Sequence, residues 1–175
     1  MRRSYVGPSG PGAGMRIIAL ACLFVMLVQA ASAACYTPAQ FRAEQAVRYH
    51  TRLMVLGMLC QGAYKQNAYA DYQAFTKRNQ NIIREQENIL IGYYKQIKKP
   101  APERALHSFR TDLANKTSTQ ASMSGGQYCR QYEKEWLAAK NMQPAQFKAW
   151  IVTLDPQKPQ ETSTPGCAVQ KNVKK

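Results

Sequence analysis

The sequence is poor in groups that carry chemistry. Its 175 residues hold two histidines, His50 and His107, and no H-x-x-x-H, H-x-x-E or E-x-x-H spacing sets two metal ligands on one helical face. Each histidine sits on an expected helix and reads as a packed or boundary residue. Neither metal nor cofactor is expected. Only ten Asp and Glu face 24 Lys and Arg. Glu85 and Glu87 are two apart, as are Glu133 and Glu135, so neither pair lies on one side of a helix to share a proton. They read as solvated charges. There is no G-x-S-x-G elbow and no P-loop. With no nucleophile and base, carboxylate pair or metal set to name, an enzyme is not expected. No stretch alternates with period two, which removes the strand signal and leaves an all-α class.

Long apolar runs are also missing. The longest, residues 17–28 (IIALACLFVMLV), has twelve residues, whereas a membrane span needs about 20. Arg2, Arg3 and Arg16 precede it and the small residues 30–34 follow, with Ala31, Ser32 and Ala33 as an A-x-A site. That order is a secretory signal peptide over residues 1–33, cleaved after Ala33 with Ala34 as the alternative. Met15 is an alternative start that yields the same mature chain. Two rivals are an uncleaved anchor and a lipoprotein acylated at Cys35, although Ser32 stands where a lipoprotein would carry a large aliphatic residue.

Cys22 leaves with the leader, so Cys35, Cys60, Cys129 and Cys167 remain, and none forms C-x-x-C. The missing motif argues against thioredoxin-type redox chemistry, c-type haem attachment and a zinc ribbon. An even count in an exported protein implies two disulfides, in any of three connectivities.

Residues 34–154 read as an antiparallel bundle of about four to five helices. Thr37, Pro38 and Gln40 form a capping box with proline at the first helical position. The helix that follows ends in residues 53–60 (LMVLGMLC), apolar on every side and so expected in the core, with Gly62 as its stop. Asn67 caps a second helix of roughly 46 Å over residues 68–98. Its apolar stripe runs through Tyr72, Phe75, Ile83, Leu90 and Tyr93, and Asn79 and Gln86 on that stripe are expected where the helix outruns its partners. A third helix starts near Glu103 and loses its apolar signal over residues 114–123, which are expected exposed or frayed. Residues 124–127 offer a second capping box, after which Tyr128, Cys129, Tyr132 and Trp136 form an inward stripe. A short helix begins at Pro144. Residues 155–175, rich in Pro, Thr and Lys without periodicity, read as a flexible basic tail held at most by Cys167.

In residues 53–60, in Tyr72-Gln73-Ala74-Phe75 with Lys77 and Arg78, and in Tyr128-Cys129-Arg130, the chain resembles small exported helical proteins of α-proteobacteria that have no assigned function. The resemblance spans roughly residues 35–154. It implies a periplasmic bundle with an internal Cys60–Cys129 pair and supplies no catalytic residues. The helix positions agree, since Cys60 ends the apolar half-helix and Cys129 lies on the aromatic stripe. That leaves Cys35 to pair with Cys167, a bond expected to matter less for stability because it tethers a tail.

What the sequence has in excess is positive charge, +14 overall and +11 once Arg2, Arg3 and Arg16 depart. Such charge draws polyanions or anionic surfaces. Arg48, Arg52, Lys77, Arg78, Arg84, Lys95, Lys98 and Lys99 are the candidate contacts. They belong to several elements, so the basic surface is expected to be dispersed. Nucleic acid is not expected, because an exported protein seldom meets it. The leading expectation is an exported, non-enzymatic protein acting through protein or envelope contacts. The alternative is a module that binds polyanions or lipid head groups.

Overall fold

Thr37 begins the fold as its chemistry requires: its hydroxyl accepts from Gln40 N while the Gln40 side chain accepts from Thr37 N. The structure, a computed structural model, describes residues 35–64, 67–124, 126–158 and 160–167. The proposed leader, residues 1–33, lies outside them. Among the described residues there are six helices: α1 Pro38–Leu59, α2 Gln61–Tyr64, α3 Ala68–Gln96, α4 Pro102–Met123, α5 Gln127–Lys140 and α6 Pro144–Thr153. No helix among them is long and apolar enough to cross a membrane.

Helix α3 runs antiparallel to α1. Gln40 reaches Gln96 at one end, and Gly57 meets Ala68 and Tyr72 at the other. That close approach needs a glycine, because a Cβ at position 57 would lie 3.1 Å from Tyr72 Cβ and 3.2 Å from Ala68 O. Two apolar cores divide the bundle. One gathers Leu53, Leu56, Phe75, Trp136 and Phe147 where α5 and α6 pack; the other gathers Phe41, Val47, Leu90, Tyr93 and Leu106 against α4.

The disulfides are Cys60–Cys129 and Cys35–Cys167. The first ties the end of α1 to the start of α5, and the Tyr64 hydroxyl donates to Cys129 O beside it. This anchoring explains one correction: Gly62 is not a stop, because the chain turns at Cys60 and makes the short extra helix α2. Nor is residues 53–60 buried on every side. Met58 and Leu59 are 55% and 49% exposed.

Several local expectations change for tertiary reasons. Asn79 and Gln86 are buried inside the fold, and Asn79 Nδ2 donates to Phe75 O and to Met142 O in the α5–α6 connection. Helix α4 stays helical through Met123 rather than fraying, and its residues 114–123 are, as expected, mostly exposed, with the rest half-buried. Ser124 accepts from Tyr128 N rather than closing a box with Gln127, and Gly126 opens α5 at φ 86°, a left-handed conformation suited to glycine. Lys98 adopts φ 57° just past α3, where Lys99 N donates to Tyr94 O and Lys98 N to Lys95 O, a Schellman ending without its usual glycine.

The largest correction concerns the stretch expected to be a flexible tail. Its described part, residues 155–158 and 160–167, is a strap docked on the bundle. Tyr36 N donates to Pro165 O and Cys167 N donates to Tyr36 O, forming a single parallel bridge. Thr164 pairs with the Tyr93 hydroxyl, and Ser163 hydrogen-bonds to Glu44. Cys35–Cys167 therefore secures a packed element, and the reason for ranking it below the inner disulfide is gone.

Candidate functional site

Glu44, Arg48 and Arg52 are spaced four apart and so form one ladder along α1. Glu44 is fully buried. Its Oε1 accepts from Arg48 Nε at 2.7 Å and from Ser163 N at 2.7 Å, and its Oε2 accepts from Ser163 Oγ at 2.6 Å. A carboxylate so enclosed needs this many donors to offset its lost hydration. One turn on, Arg52 forms a fork with Glu135 of α5 at 2.8 and 3.1 Å and lies 5.1 Å over the Tyr132 ring. Burial works against its charge, but the Glu135 carboxylate outweighs that and holds the guanidinium pKa above its ordinary value.

Beside this ladder opens a cleft of about 440 Å³. Helix α1 lines it with Gln45, Arg48, Tyr49 and Arg52, and α4 with Leu113, Lys116, Thr117 and Gln120, again at three- and four-residue steps. Tyr128 and Tyr132 come from α5, Trp150 from α6, and Gln160 and Glu161 from the strap. Glu161 is the carboxylate at the rim: Lys116 Nζ is 2.5 Å away and Arg48 Nη1 3.6 Å away. The Lys116 hydrogen bond, helped by the Arg48 charge against a smaller effect of burial, lowers its pKa. Burial raises the Tyr49 pKa, with Glu135 adding to it, and carries that of Tyr128 to about 12 with help from Tyr132. Both phenols are therefore neutral at pH 7.

The eight basic residues named from sequence separate into three sets. Arg48 and Arg52 line the cleft. Arg78 Nη2 donates to Lys140 O at 2.5 Å, and Lys95 lies 3.7 Å from Glu103. Lys77, Arg84, Lys98 and Lys99 are exposed. Only the first set converges on a concave face. Two of the carboxylates read as solvated are paired instead, Glu87 with Arg110 at 2.6 Å and Glu135 with Arg52. The reading from sequence missed Lys116, Trp150 and Glu161. For Lys116 a signal existed, because Leu113, Lys116, Thr117 and Gln120 form a helical stripe in the segment where apolar periodicity fades.

His50 is a separate buried polar centre. It is 3% exposed, and its Nε2 lies 3.0 Å from Thr76 Oγ1 and 3.2 Å from the Tyr72 hydroxyl, with the Tyr72 ring stacked at 5.4 Å. Burial, aided by the Arg110 charge, lowers its pKa to about 4. The unfolded chain then binds a proton near the ordinary value of 6.5 that the folded chain refuses until about pH 4. Stability is therefore expected to fall as pH drops through that window, by roughly 3 kcal/mol in all. Urea unfolding of the wild type and His50→Gln at several pH values checks this: the variant should lose that part of the slope, and parallel profiles would refute it.

Among the described residues no group of three or more His, Cys, Asp or Glu is placed to hold a metal ion. Comparison with family models, with curated proteins and with solved structures returns no match to this chain.

Proposed function

We propose that this chain is an exported helical protein that works without catalysis, through contacts of its surface with a protein or another component of the cell envelope. Two disulfides within one small fold support an oxidising compartment. With the leader at residues 1–33 removed, the periplasm is the place this reading assigns.

The observation that carries the contact is a set of four exposed cations, on the longest helix and just past its end, that form no ion pair among the described residues. Of the 24 Lys and Arg, seven (Arg2, Arg3, Arg16, Lys65, Lys171, Lys174 and Lys175) lie outside the described residues, leaving 17 against all ten Asp and Glu. Five carboxylates are already in ion pairs, those of Glu44, Glu87, Glu103, Glu135 and Glu161. Lys77 and Arg84 are seven apart and so share a face of α3, and Lys98 and Lys99 follow its end. No carboxylate of the described fold pairs with these four.

The test is capture of partners from envelope extract by the mature chain at about 50 mM and about 500 mM salt, where screening differs by a factor of three in length. A partner held at low salt should be released at high salt and lost with Lys77→Glu/Arg84→Glu. A partner indifferent to both changes would overturn the basic face as the contact. The second reading, binding of a polyanion or lipid head groups, rests on the same four cations. It predicts co-sedimentation with protein-free anionic vesicles, and failure to co-sediment at low salt would remove it.

A further inference from the structure

The cleft at the rim of α1 and α4 holds one anionic position, and the chain fills it with its own carboxylate. Arg48 and Lys116 both reach Glu161. Arg52, the third cation of the lining, is already engaged by the Glu135 fork. Arg48 keeps its Nε on Glu44, so its Nη1 is the part that faces the rim. The Glu161 and Lys116 side chains are 61% and 53% exposed. An ion pair that exposed contributes little, so an incoming anion displaces it at small cost.

The rest of the lining says what the anion is attached to. Among the described residues no hydrogen bond uses the Thr117 hydroxyl or the Gln120 amide, and Gln45 spends its Nε2 on Glu161 O. Trp150 and Tyr49, with ring centroids 4.5 Å apart, supply an aromatic wall. Neutral donors and acceptors beside an aromatic face suit a hydroxylated ring, whose C–H face packs on the aromatic while its hydroxyls bond to amides. A space of about 440 Å³ is in the range of small-molecule sites and takes one or two such rings.

We propose that the cleft binds a small acidic saccharide whose carboxylate replaces that of Glu161 between Arg48 and Lys116 while its ring rests on Trp150. This site is distinct from the Lys77 and Arg84 face, and its failure would leave the envelope-contact reading standing. The converse also holds.

The two tryptophans make the test direct. Trp150 lines the cleft, whereas Trp136 is buried against Tyr64. In the ¹⁵N-labelled mature chain, titration with glucuronate should shift the Trp150 indole signal and leave that of Trp136 in place. Glucose should bind at least about tenfold more weakly, the loss expected for one charge-assisted contact. Lys116→Gln should weaken glucuronate about threefold, the scale of one exposed charge pair, and Glu161→Gln should tighten it by a similar factor by removing the competing carboxylate. Both substitutions are at exposed side chains, and an unmoved Trp136 signal verifies the fold of each variant. Lys77→Glu should leave glucuronate binding unchanged. No Trp150 shift with glucuronate would overturn the proposal, as would equal affinity for glucose. A shift with benzoate alone would overturn the saccharide assignment, and weaker binding in Glu161→Gln would overturn the displacement.

Discussion

Glu44→Ala is expected to destabilise the fold by about 3 to 5 kcal/mol, the range found when one partner of a buried ion pair is removed. The substitution takes three hydrogen bonds at once, those from Arg48 Nε, Ser163 N and Ser163 Oγ. It leaves the Arg48 guanidinium, 13% exposed, with the 3.6 Å contact to Glu161 as its one ion pair and the Phe109 ring 5.4 Å away. Glu44→Gln retains an acceptor of the same shape and should cost less, on the order of 1 to 2 kcal/mol. Urea unfolding monitored by circular dichroism measures both. Hydrogen exchange at Ser163 N should accelerate in the alanine variant even under conditions where the bundle remains folded. A loss below about 1 kcal/mol for Glu44→Ala would show that the pair does not hold the strap.

Removing either disulfide is expected to cost about 4 kcal/mol, and the two losses should be similar. The sequence separations are 69 for Cys60–Cys129 and 132 for Cys35–Cys167. Because the shorter loop lies inside the longer one, the outer bond constrains roughly the difference between them once the inner is closed, a loop of comparable length. Docking of residues 160–167 on Tyr36, Glu44 and Tyr93 adds that the outer bond has structure to protect. Thermal unfolding of Cys60→Ala/Cys129→Ala and Cys35→Ala/Cys167→Ala decides the matter. Near-equal shifts are the expected result, and a shift confined to the inner pair would restore the tethered-tail view. Loss of both bonds approaches the whole stability of a typical domain, about 5 to 15 kcal/mol.

What could be read in advance was local. Thr37, Pro38 and Gln40 act within one turn, and Asn67 caps α3 by accepting from Ala70 N, so both helix starts were legible. The stripe through Phe75, Ile83 and Leu90 was legible because burial on one side of a helix repeats at a fixed period. The strap was not. Its contacts are backbone groups and short hydroxyls meeting residues 71 or more positions earlier, and a Pro- and Thr-rich segment shows the same composition whether docked or free. Asn79 was misplaced for a similar reason, since its acceptor at Met142 belongs to a connection 63 positions away. The cleft fell between these cases. Arg48 and Arg52 were singled out for their charge, but their convergence on Lys116 depends on how α1 and α4 pack, which no single-helix pattern encodes.

The nesting of the two disulfides sets an order in time. A polypeptide delivered amino end first into an oxidising compartment brings Cys129 across before Cys167, so the ring closed by Cys60–Cys129 is available early. The outer ring must wait until the final described residue has crossed. Until residues 161 and 163 have crossed, Glu44 lacks both Ser163 donors, and Lys116 and Arg48 lack the Glu161 carboxylate. On the export reading proposed above, a chain halted before residue 161 has crossed would hold both cysteines of its inner bond but an unrimmed cleft.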